Sequence, residues 1–433
     1  MSTLKTTLLP PGTDSPSHRD SRFEQLGAWI AWFMAAIFLL YQIAIQTSFG
    51  SMQGPIQHDL GLSAADMSAI SAVFFITYAG MQVPAGALLD RYGAGWVLPP
   101  AILLVGIGGF LLSISDSFFT ASMARLLMGA AGAFSFLGVT AVTNRRIAHR
   151  QIGLATGLIE IAFSGGAILG SLGVAVLLAT FEWRTGLQVV AAASVVIAVL
   201  NMLFLGRGGK YAPYNPDDHP SFAKLAREVL LDPKTWKIGL IYGAFTGTMF
   251  GMSGFWNTPL QAAFDRTAHE AALLTSAMFI GTIVGAPICG IVADRTQRYL
   301  PLIGLGCILL MVTLAPTIYV TWVAPVWLVA GTFFIMGLGI ATSLMVFPLA
   351  CRDMHRAKAG MTCALVNCLG LLAAATFLWV PGLVQAVIPE SGISSIQIAM
   401  FIFVLWPVIS LGICIHLSKQ QKKALLAREI VGE

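Results

Sequence analysis

Charged residues are scarce in this chain. Of its 433 residues, 10% are Asp, Glu, Lys or Arg and 57% are hydrophobic, and the mean hydropathy is +0.80. A soluble globular domain carries about 25% charged residues. The composition therefore excludes an ordinary soluble domain and predicts an integral membrane protein.

Cysteine is missing from the first half of the chain, and the common catalytic motifs are missing throughout. The six cysteines are Cys289, Cys307, Cys351, Cys363, Cys368 and Cys414. They fall within apolar runs or beside basic segments, so structural disulfides are not expected. The seven histidines are scattered singly, and there is no H-E-x-x-H, Walker, G-x-S-x-G or dinucleotide-binding motif. We therefore expect no metal site, no bound cofactor and no enzymatic activity.

Apolar runs of about 20 residues, long enough to cross a bilayer as helices, occur twelve times. Six of them form a predicted N-terminal bundle, residues 25–206, and six a C-terminal bundle, residues 236–418. We predict a disordered cytoplasmic tail over 1–24, a linker with a short interfacial helix or an unstructured tether over 207–235, and a cytoplasmic tail over 419–433. The predicted spans are 27–49, 64–88, 95–114, 118–142, 152–178, 185–206, 236–262, 268–292, 300–321, 325–349, 358–386 and 396–417.

The basic residues are concentrated on one side of these spans. With the N-terminus inside, 22 basic residues fall in inside segments, two (Arg184 and Arg266) fall outside and Arg125 lies within a span, which accounts for the 25 Lys and Arg. By the positive-inside rule both termini are predicted to be cytoplasmic. The basic residues behind the net charge of +5 therefore lie between the spans on one side of the membrane. We expect a lipid bilayer as partner and no nucleic acid.

One short polar turn occurs twice, each time at the end of an apolar run and 204 positions apart (290 minus 86). Such a repeat indicates a duplicated unit. The glycine allows helices to approach closely, and the aspartate at the membrane edge can cap the positive end of a helix in the other half. The alternative is a plain polar turn. The copies comprise Gly86, Asp90, Arg91 and Gly93, and then Gly290, Asp294 and Arg295.

Both copies resemble the loop motif of the major facilitator superfamily, a family of membrane carriers. The resemblance implies an all-α membrane protein with twelve transmembrane helices in two pseudo-symmetric bundles, a site at mid-membrane between them, and alternating access. It also implies that the motif is a latch for the outward-open state. The basic residues that the family carries after Gly93 are replaced by Ala94, Gly95 and Trp96, whereas the second copy keeps Arg298. The first latch is therefore expected to be weaker.

Two charged residues lie inside predicted spans. Arg125 and Glu160 each lie about eight residues into a span, roughly 12 Å deep, on neighbouring antiparallel helices. An intramembrane charge costs on the order of 3 kcal/mol, so it is expected to face a partner or a watery cavity. Arg125, with Gly129 four residues on, also resembles a family signature associated with substrate or proton coupling.

Three roles are open for this pair. In the first, Arg125 binds an anionic group of the solute and Glu160 carries a coupling proton. In the second, Glu160 binds a cationic group of the solute, and Arg125 tunes the proton affinity of Glu160. In the third, the two form a static ion pair. Further polar or aromatic candidates for the cavity, each equally readable as interhelical contact or interface anchor, are Gln42, Gln46, Tyr78, Gln82, Trp256, Asn257 and Asn367.

The resemblance implies a secondary transporter of the bacterial inner membrane. We expect a monomeric, proton-coupled importer of a small polar solute, anionic or zwitterionic, with the proton gradient as its energy source. The alternative is a proton-coupled exporter or antiporter of drugs or metabolites. Against multidrug export, the Gly-Pro of such family members is absent from the fifth span, where Ser164, Gly165 and Gly166 stand. A non-transporting membrane sensor is the third possibility.

Overall fold

The computed structural model describes residues 18–148, 151–205, 227–320, 324–351, 356–388 and 393–431. Across these ranges the regular structure is helical, with no strand. The predicted all-α membrane fold is thereby confirmed. The N-terminal residues 1–17, most of the predicted linker and the final two residues lie outside the described ranges, so the predictions for those segments are not tested there.

The N-terminal half contains six helical runs, α1 to α6. The fifth, α5, consists of Ile152–Ile168, a π-helical turn at Leu169–Gly173 and a final turn, Val174–Leu177. The other five are α1 His18–Leu60, α2 Ala64–Tyr92, α3 Ala94–Ser113, α4 Phe118–Arg146 and α6 Trp183–Phe204.

The C-terminal half repeats this number of runs, as α7 to α12. Three runs are single helices, namely α8 Ala268–Thr296, α9 Tyr299–Tyr319 and α11 Arg356–Val387. Three are interrupted: α7 by a π-helical turn, α10 by a 3₁₀ turn and α12 near its start. The pieces of α7 are Pro233–Gly251, Met252–Trp256 and Asn257–Ala262. The pieces of α10 are Val326–Ala341, Thr342–Met345 and Val346–Cys351. The pieces of α12 are Ile393–Ala399 and Phe401–Val431.

Eleven helices of the described residues are long and apolar enough to cross a membrane. The run α7 is not among them, but it is helical from 233 to 262, which at 1.5 Å per residue is about 45 Å, longer than a bilayer core. Counted with α7, the described residues contain the twelve crossings that the sequence predicts. Helix α1 begins at His18 and α12 continues to Val431, so parts of both predicted tails are helical.

Two prolines explain the interruptions in α7 and α10. Proline has no N–H to donate to the carbonyl four residues before it, so the helical ladder is broken there. Pro259 leaves the carbonyl of Phe255 without its usual partner, inside the π-helical turn Met252–Trp256. Pro348 does the same to Leu344, inside the 3₁₀ turn Thr342–Met345. Each interruption therefore lies about one turn before its proline.

The ends of the helices define two faces of the molecule. We call the end at which α1 begins the N-face and the opposite end the far face. Because successive runs alternate in direction, α7 begins at the N-face and α8 at the far face. The basic residues predict that the N-face is cytoplasmic.

The two halves contact each other toward the far face. Thr258 of α7 donates a hydrogen bond to the carbonyl of Gly50 in α1 (3.1 Å), and Ser71 of α2 donates to the carbonyl of Gly254 (3.4 Å). At Gly50 the backbones are so close that a Cβ would lie 2.4 Å from the Ser253 oxygen. A glycine is therefore required there, and the halves are joined on the far-face side.

Candidate functional site

A cavity of about 90 Å³ lies between the two halves at mid-depth. Helices α1, α2, α4 and α5 of the N-terminal half and α7, α8, α10 and α11 of the C-terminal half all contribute to its wall. The wall is mostly apolar and rich in aromatic rings. Its six phenylalanines are Phe75, Phe136, Phe163, Phe245, Phe250 and Phe347.

A small set of polar groups points to the chemistry of this cavity. Gln46 and Tyr78 line it from the N-terminal half, Tyr242 and Asn367 line it from the C-terminal half, and Glu160 supplies a carboxyl group. No lysine, arginine or histidine is among the lining residues. The wall therefore carries one acidic group and no basic one.

The sequence-based prediction placed nine residues at the site, and four of them line the cavity: Gln46, Tyr78, Glu160 and Asn367. The largest group that it missed lies on α7. Tyr242, Phe245, Thr246, Met249 and Phe250 all line the cavity. They follow the i, i+3, i+4, i+7, i+8 spacing of one helix face, a signal that could have been found in the sequence.

Aromatic rings close the cavity on the side of the far face. The ring of Phe250 in α7 lies 4.8 Å from that of Phe75 in α2 and 6.0 Å from that of Phe163 in α5. The ring of Phe163 lies 6.5 Å from that of Phe279 in α8. These centroid distances are those of favourable aromatic pairs. Each of these contacts joins one half to the other, so this aromatic layer separates the cavity from the far face.

Arg125 does not line the cavity. It is buried, with 1% of its surface exposed, and its guanidinium lies between the rings of Phe49 and Phe74, 4.6 Å from each centroid. Its Nε and one terminal nitrogen have no hydrogen-bond partner. The two ion pairs found among the described residues, Arg145–Asp90 and Arg184–Asp59, lie elsewhere. Arg125 is therefore held by aromatic faces, and the structure does not pair it with Glu160.

The remaining predicted site residues connect helices. The amide of Gln42 donates to Gln46 (3.1 Å) and accepts from Ser135 of α4 (3.0 Å). Trp256 is fully buried and donates to the Leu378 carbonyl (3.0 Å), so it is not an interface anchor.

Asn257 is likewise an interhelical contact. Its amide nitrogen donates to the Ala271 carbonyl and to the Thr275 hydroxyl of α8, both at 2.8 Å. Gln82 is buried near the N-face end of α2, its amide nitrogen without a partner. Neither residue is among those that line the cavity.

The repeated turn has a different environment from the one predicted. Asp90 forms an ion pair with Arg145 of α4, in its own half, at 2.5 Å. A Cβ on Gly86 or Gly290 would meet no atom within 4 Å. In this conformation the halves are joined at the opposite face, so the close approach of helices predicted at Gly86 is not seen here and stays a prediction for the outward-open state.

The turn contains a residue with positive φ in both halves, but the two backbone conformations differ. Gly93, three residues after Asp90, has φ of 81°, and Gln297, three residues after Asp294, has φ of 53°. Positive φ favours glycine and is uncommon for other residues. Arg91 lies over the ring of Tyr92, 5.3 Å from its centroid. Gly93 combines its φ with a ψ of 159°, whereas Gln297 has a ψ of 22° and is left-handed helical, so the duplication inferred from sequence does not extend to one shared backbone conformation.

A cavity at mid-depth between two six-helix halves defines a membrane transport protein. The family model for the Major Facilitator Superfamily matches residues 29–378, and the chain belongs to this family. The resemblance in the repeated turn is thereby confirmed.

The relatives of known sequence are distant. The uncharacterized transporter YybO of Bacillus subtilis (strain 168) is 25% identical over 263 residues, 55% of this chain and 59% of that protein. The probable nitrate/nitrite antiporter NarK1 of Thermus thermophilus is 24% identical over 277 residues, 61% of each chain. The nitrite extrusion protein of Bacillus subtilis (strain 168) is 22% identical over 66% of this chain and 71% of that protein. The match thus spans less than two thirds of the first two relatives.

Solved structures share the whole fold. A bacterial homologue of the human lysosomal transporter Spinster, in an inward-facing and unoccupied conformation, has a TM-score of 0.74 at 14% identity, over 94% of this chain and 98% of that one. A mutant of the nucleoside transporter NupG has a TM-score of 0.74 at 15% identity, over 89% and 99%. At these identities the likeness shows the fold alone.

Proposed function

We propose that this transporter exchanges protons for a cationic or zwitterionic solute with an apolar body, and that Glu160 binds either one. The observation that carries the proposal is the cavity wall, which has one carboxyl group, no basic side chain and six phenylalanines. An anion in this cavity would lack a counter-charge and would meet the carboxylate. The predicted anionic solute is therefore replaced by one that brings a positive group.

The single carboxyl group also suggests how protons are coupled. A charge in the membrane interior is costly, on the order of 3 kcal/mol, so Glu160 is stable there when a proton or a bound cation neutralises it. The two cannot occupy the carboxylate together. If each conformational change requires a neutral Glu160, protons moving inward exchange for solute moving outward, which favours the predicted alternative of an antiporter over an importer.

The aromatic rings offer the rest of the solute a matching surface. Cations bind the faces of phenylalanine and tyrosine with about 0.5–2 kcal/mol each, and apolar parts of the solute gain by leaving water. Tyr78, Tyr242 and Asn367 add hydrogen-bonding groups around the carboxyl group. We therefore expect a solute that combines an aromatic or branched body with one ammonium group.

The conformation described here suits uptake from the side of the N-face. The hydrogen bonds Thr258–Gly50 and Ser71–Gly254 join the halves toward the far face, and the aromatic layer separates the cavity from that face. If the N-face is cytoplasmic, as the basic residues predict, this is a state that takes up solute from the cytoplasm of a bacterial cell.

A second candidate is the transport of a small oxyanion. Two of the relatives are named as nitrate or nitrite transporters, and Arg125 has two nitrogens without hydrogen-bond partners. A planar oxyanion would suit such a guanidinium. To bind there it would have to reach a buried side chain between two phenylalanine rings, so we place this candidate second.

The experiment uses the purified full-length protein in proteoliposomes. An outward proton gradient should drive accumulation of benzyltrimethylammonium, a small aromatic cation. Phenylacetate, which has a similar ring and a negative charge, and nitrate serve as controls and should not accumulate. Accumulation of nitrate with no response to benzyltrimethylammonium would support the oxyanion candidate and contradict the exchange proposed here.

A further inference from the structure

Two cysteines lie against each other at the N-face end of the C-terminal half. The sulfur of Cys351, the last residue of α10, is 3.0 Å from the sulfur of Cys363 in the second turn of α11. Both side chains are half-buried and no disulfide joins them. A disulfide has a sulfur separation of about 2.0 Å, so an approach of roughly 1 Å would bring these two sulfurs to bonding distance.

The pair is connected to the cavity through both helices. Phe347 lies four residues before Cys351, and Asn367 lies four residues after Cys363; both line the cavity wall. Residues four apart share one face of a helix. The dithiol therefore lies one helical turn, about 5–6 Å, from the cavity, on the side of the N-face.

Cys351 belongs to a short piece of helix that an irregular turn separates from the rest of α10. The 3₁₀ turn Thr342–Met345 separates Val346–Cys351 from Val326–Ala341. A mid-helix 3₁₀ stretch often marks a hinge. The short piece carries Phe347, whose ring contacts that of Tyr242 in α7 at 5.1 Å. Movement at the hinge would change the edge of the cavity.

We propose that Cys351 and Cys363 are a redox-modification site, and that their oxidation to a disulfide fixes the end of α10 against α11. Two S–H bonds break and one S–S bond forms, and two protons and two electrons pass to a two-electron oxidant such as a peroxide or an azo compound. The bond removes the hinge movement of Val346–Cys351. The transporter then turns over slowly until a thiol reductant restores the dithiol.

The other cysteines offer internal controls. Cys307 and Cys414 are a second pair of neighbouring thiols, but both are buried, with 0% and 2% of their surface exposed, so we expect an oxidant to modify them more slowly. Cys368 is half-buried and directs its sulfur at the Ala79 carbonyl, 3.8 Å away. It is a thiol on the same helix as Cys363 without a described thiol neighbour.

The test uses the purified full chain, treated with diamide and digested for mass spectrometry. We expect a cross-linked peptide pair containing Cys351 and Cys363, and amide hydrogen exchange across 346–351 slowed by about tenfold or more. Dithiothreitol should reverse both effects. The variants Cys351→Ser and Cys363→Ser should show neither effect, and the control Cys368→Ser should show both.

Neither readout needs a transported solute, so the result is independent of the exchange proposed above. If Cys351 and Cys363 are unmodified after treatment with diamide, their assignment as a redox-modification site is wrong. A cross-link that leaves hydrogen exchange across 346–351 unchanged would overturn the proposal that the disulfide fixes the end of α10 against α11. Protection from diamide by Cys368→Ser would overturn the assignment of the pair.

Discussion

Arg125 and Glu160 are two charged side chains of the same half, predicted to lie at similar depths, yet their surroundings differ. The Arg125 guanidinium lies between two phenylalanine rings and is not among the residues that line the cavity between the halves. Glu160 lines the space between the halves together with two tyrosines and an asparagine. Depth in the membrane does not distinguish the two residues. An intramembrane charge can thus be held by aromatic faces that replace its solvent, whereas a charge that faces a cavity is a candidate for function.

Arg125 also contacts residues next to those that join the two halves toward the far face. Its stacking partner Phe49 adjoins Gly50, which accepts the hydrogen bond from Thr258 of the other half. Its other partner, Phe74, lies three residues after Ser71, which donates to Gly254. Arg125 therefore contacts the two helices that meet the C-terminal half at the far face, while Glu160 lines the cavity where we propose that the solute binds.

The largest expected effect comes from Glu160→Gln. The amide cannot balance a positive charge, so affinity for benzyltrimethylammonium should fall by about 30-fold or more, and its uptake should no longer depend on pH. Equilibrium binding at several pH values measures this. Glu182→Gln, a change at the far-face start of α6, is the matched control and should bind normally. Undiminished binding in Glu160→Gln would mean that the carboxylate does not hold the cation.

Arg125→Lys should affect stability more than binding. The lysine keeps the charge but loses the planar group stacked between two rings, and a cation–π contact away from solvent is worth about 2 kcal/mol. We expect a lower melting temperature with the affinity for benzyltrimethylammonium within about threefold of the parent, since Arg125 lies outside the cavity. Arg125→Met removes the charge, but its side chain still fills the space between the two rings. The melting temperature should therefore fall by less than the loss of the cation–π contacts alone would cause. Nitrate binding that vanishes in both variants would favour the oxyanion candidate.

Tyr242→Phe should have a smaller effect. Removing one hydroxyl from the cavity wall costs one hydrogen bond, about 1 kcal/mol, or roughly fivefold in affinity. Tyr319→Phe removes a hydroxyl at the far-face end of α9, outside the cavity, and should leave affinity unchanged. Equal losses in the two variants would show that the cavity is not where the cation binds.

The smallest effect is expected for Asp90→Asn. In this conformation the carboxylate pairs with Arg145, and 69% of the Asp90 side chain and 35% of the Arg145 side chain are exposed. An exposed ion pair contributes about 0–1 kcal/mol, so the melting temperature should hardly change. A role for Asp90 in the outward-open state remains a prediction, which spin-label distances across the N-face would test. Unchanged distances together with unchanged uptake would make Asp90 a polar turn residue only.

Much of the fold could be predicted because the bilayer imposes it. Apolar runs of membrane length predicted twelve spans, and eleven of the described helices are long and apolar enough to cross a membrane; α7 is not among them, and the π-helical turn Met252–Trp256 interrupts it. The site was only partly predictable. Polarity singled out Glu160 and Asn367, but it also singled out Asn257, which is satisfied by α8. Whether a polar side chain meets a cavity or a neighbouring helix depends on packing between helices distant in sequence.

The proposed exchange requires that one carboxylate bind either a proton or a cation. It predicts that purified protein, placed in weakly buffered solution at a pH where Glu160 holds its proton, releases about one proton for each benzyltrimethylammonium that binds. Calorimetry in two buffers of different ionisation enthalpy measures this number. The account predicts proton release by the parent protein and by Glu182→Gln, and none by Glu160→Gln. Saturable binding without proton release, or with undiminished release in Glu160→Gln, would contradict it.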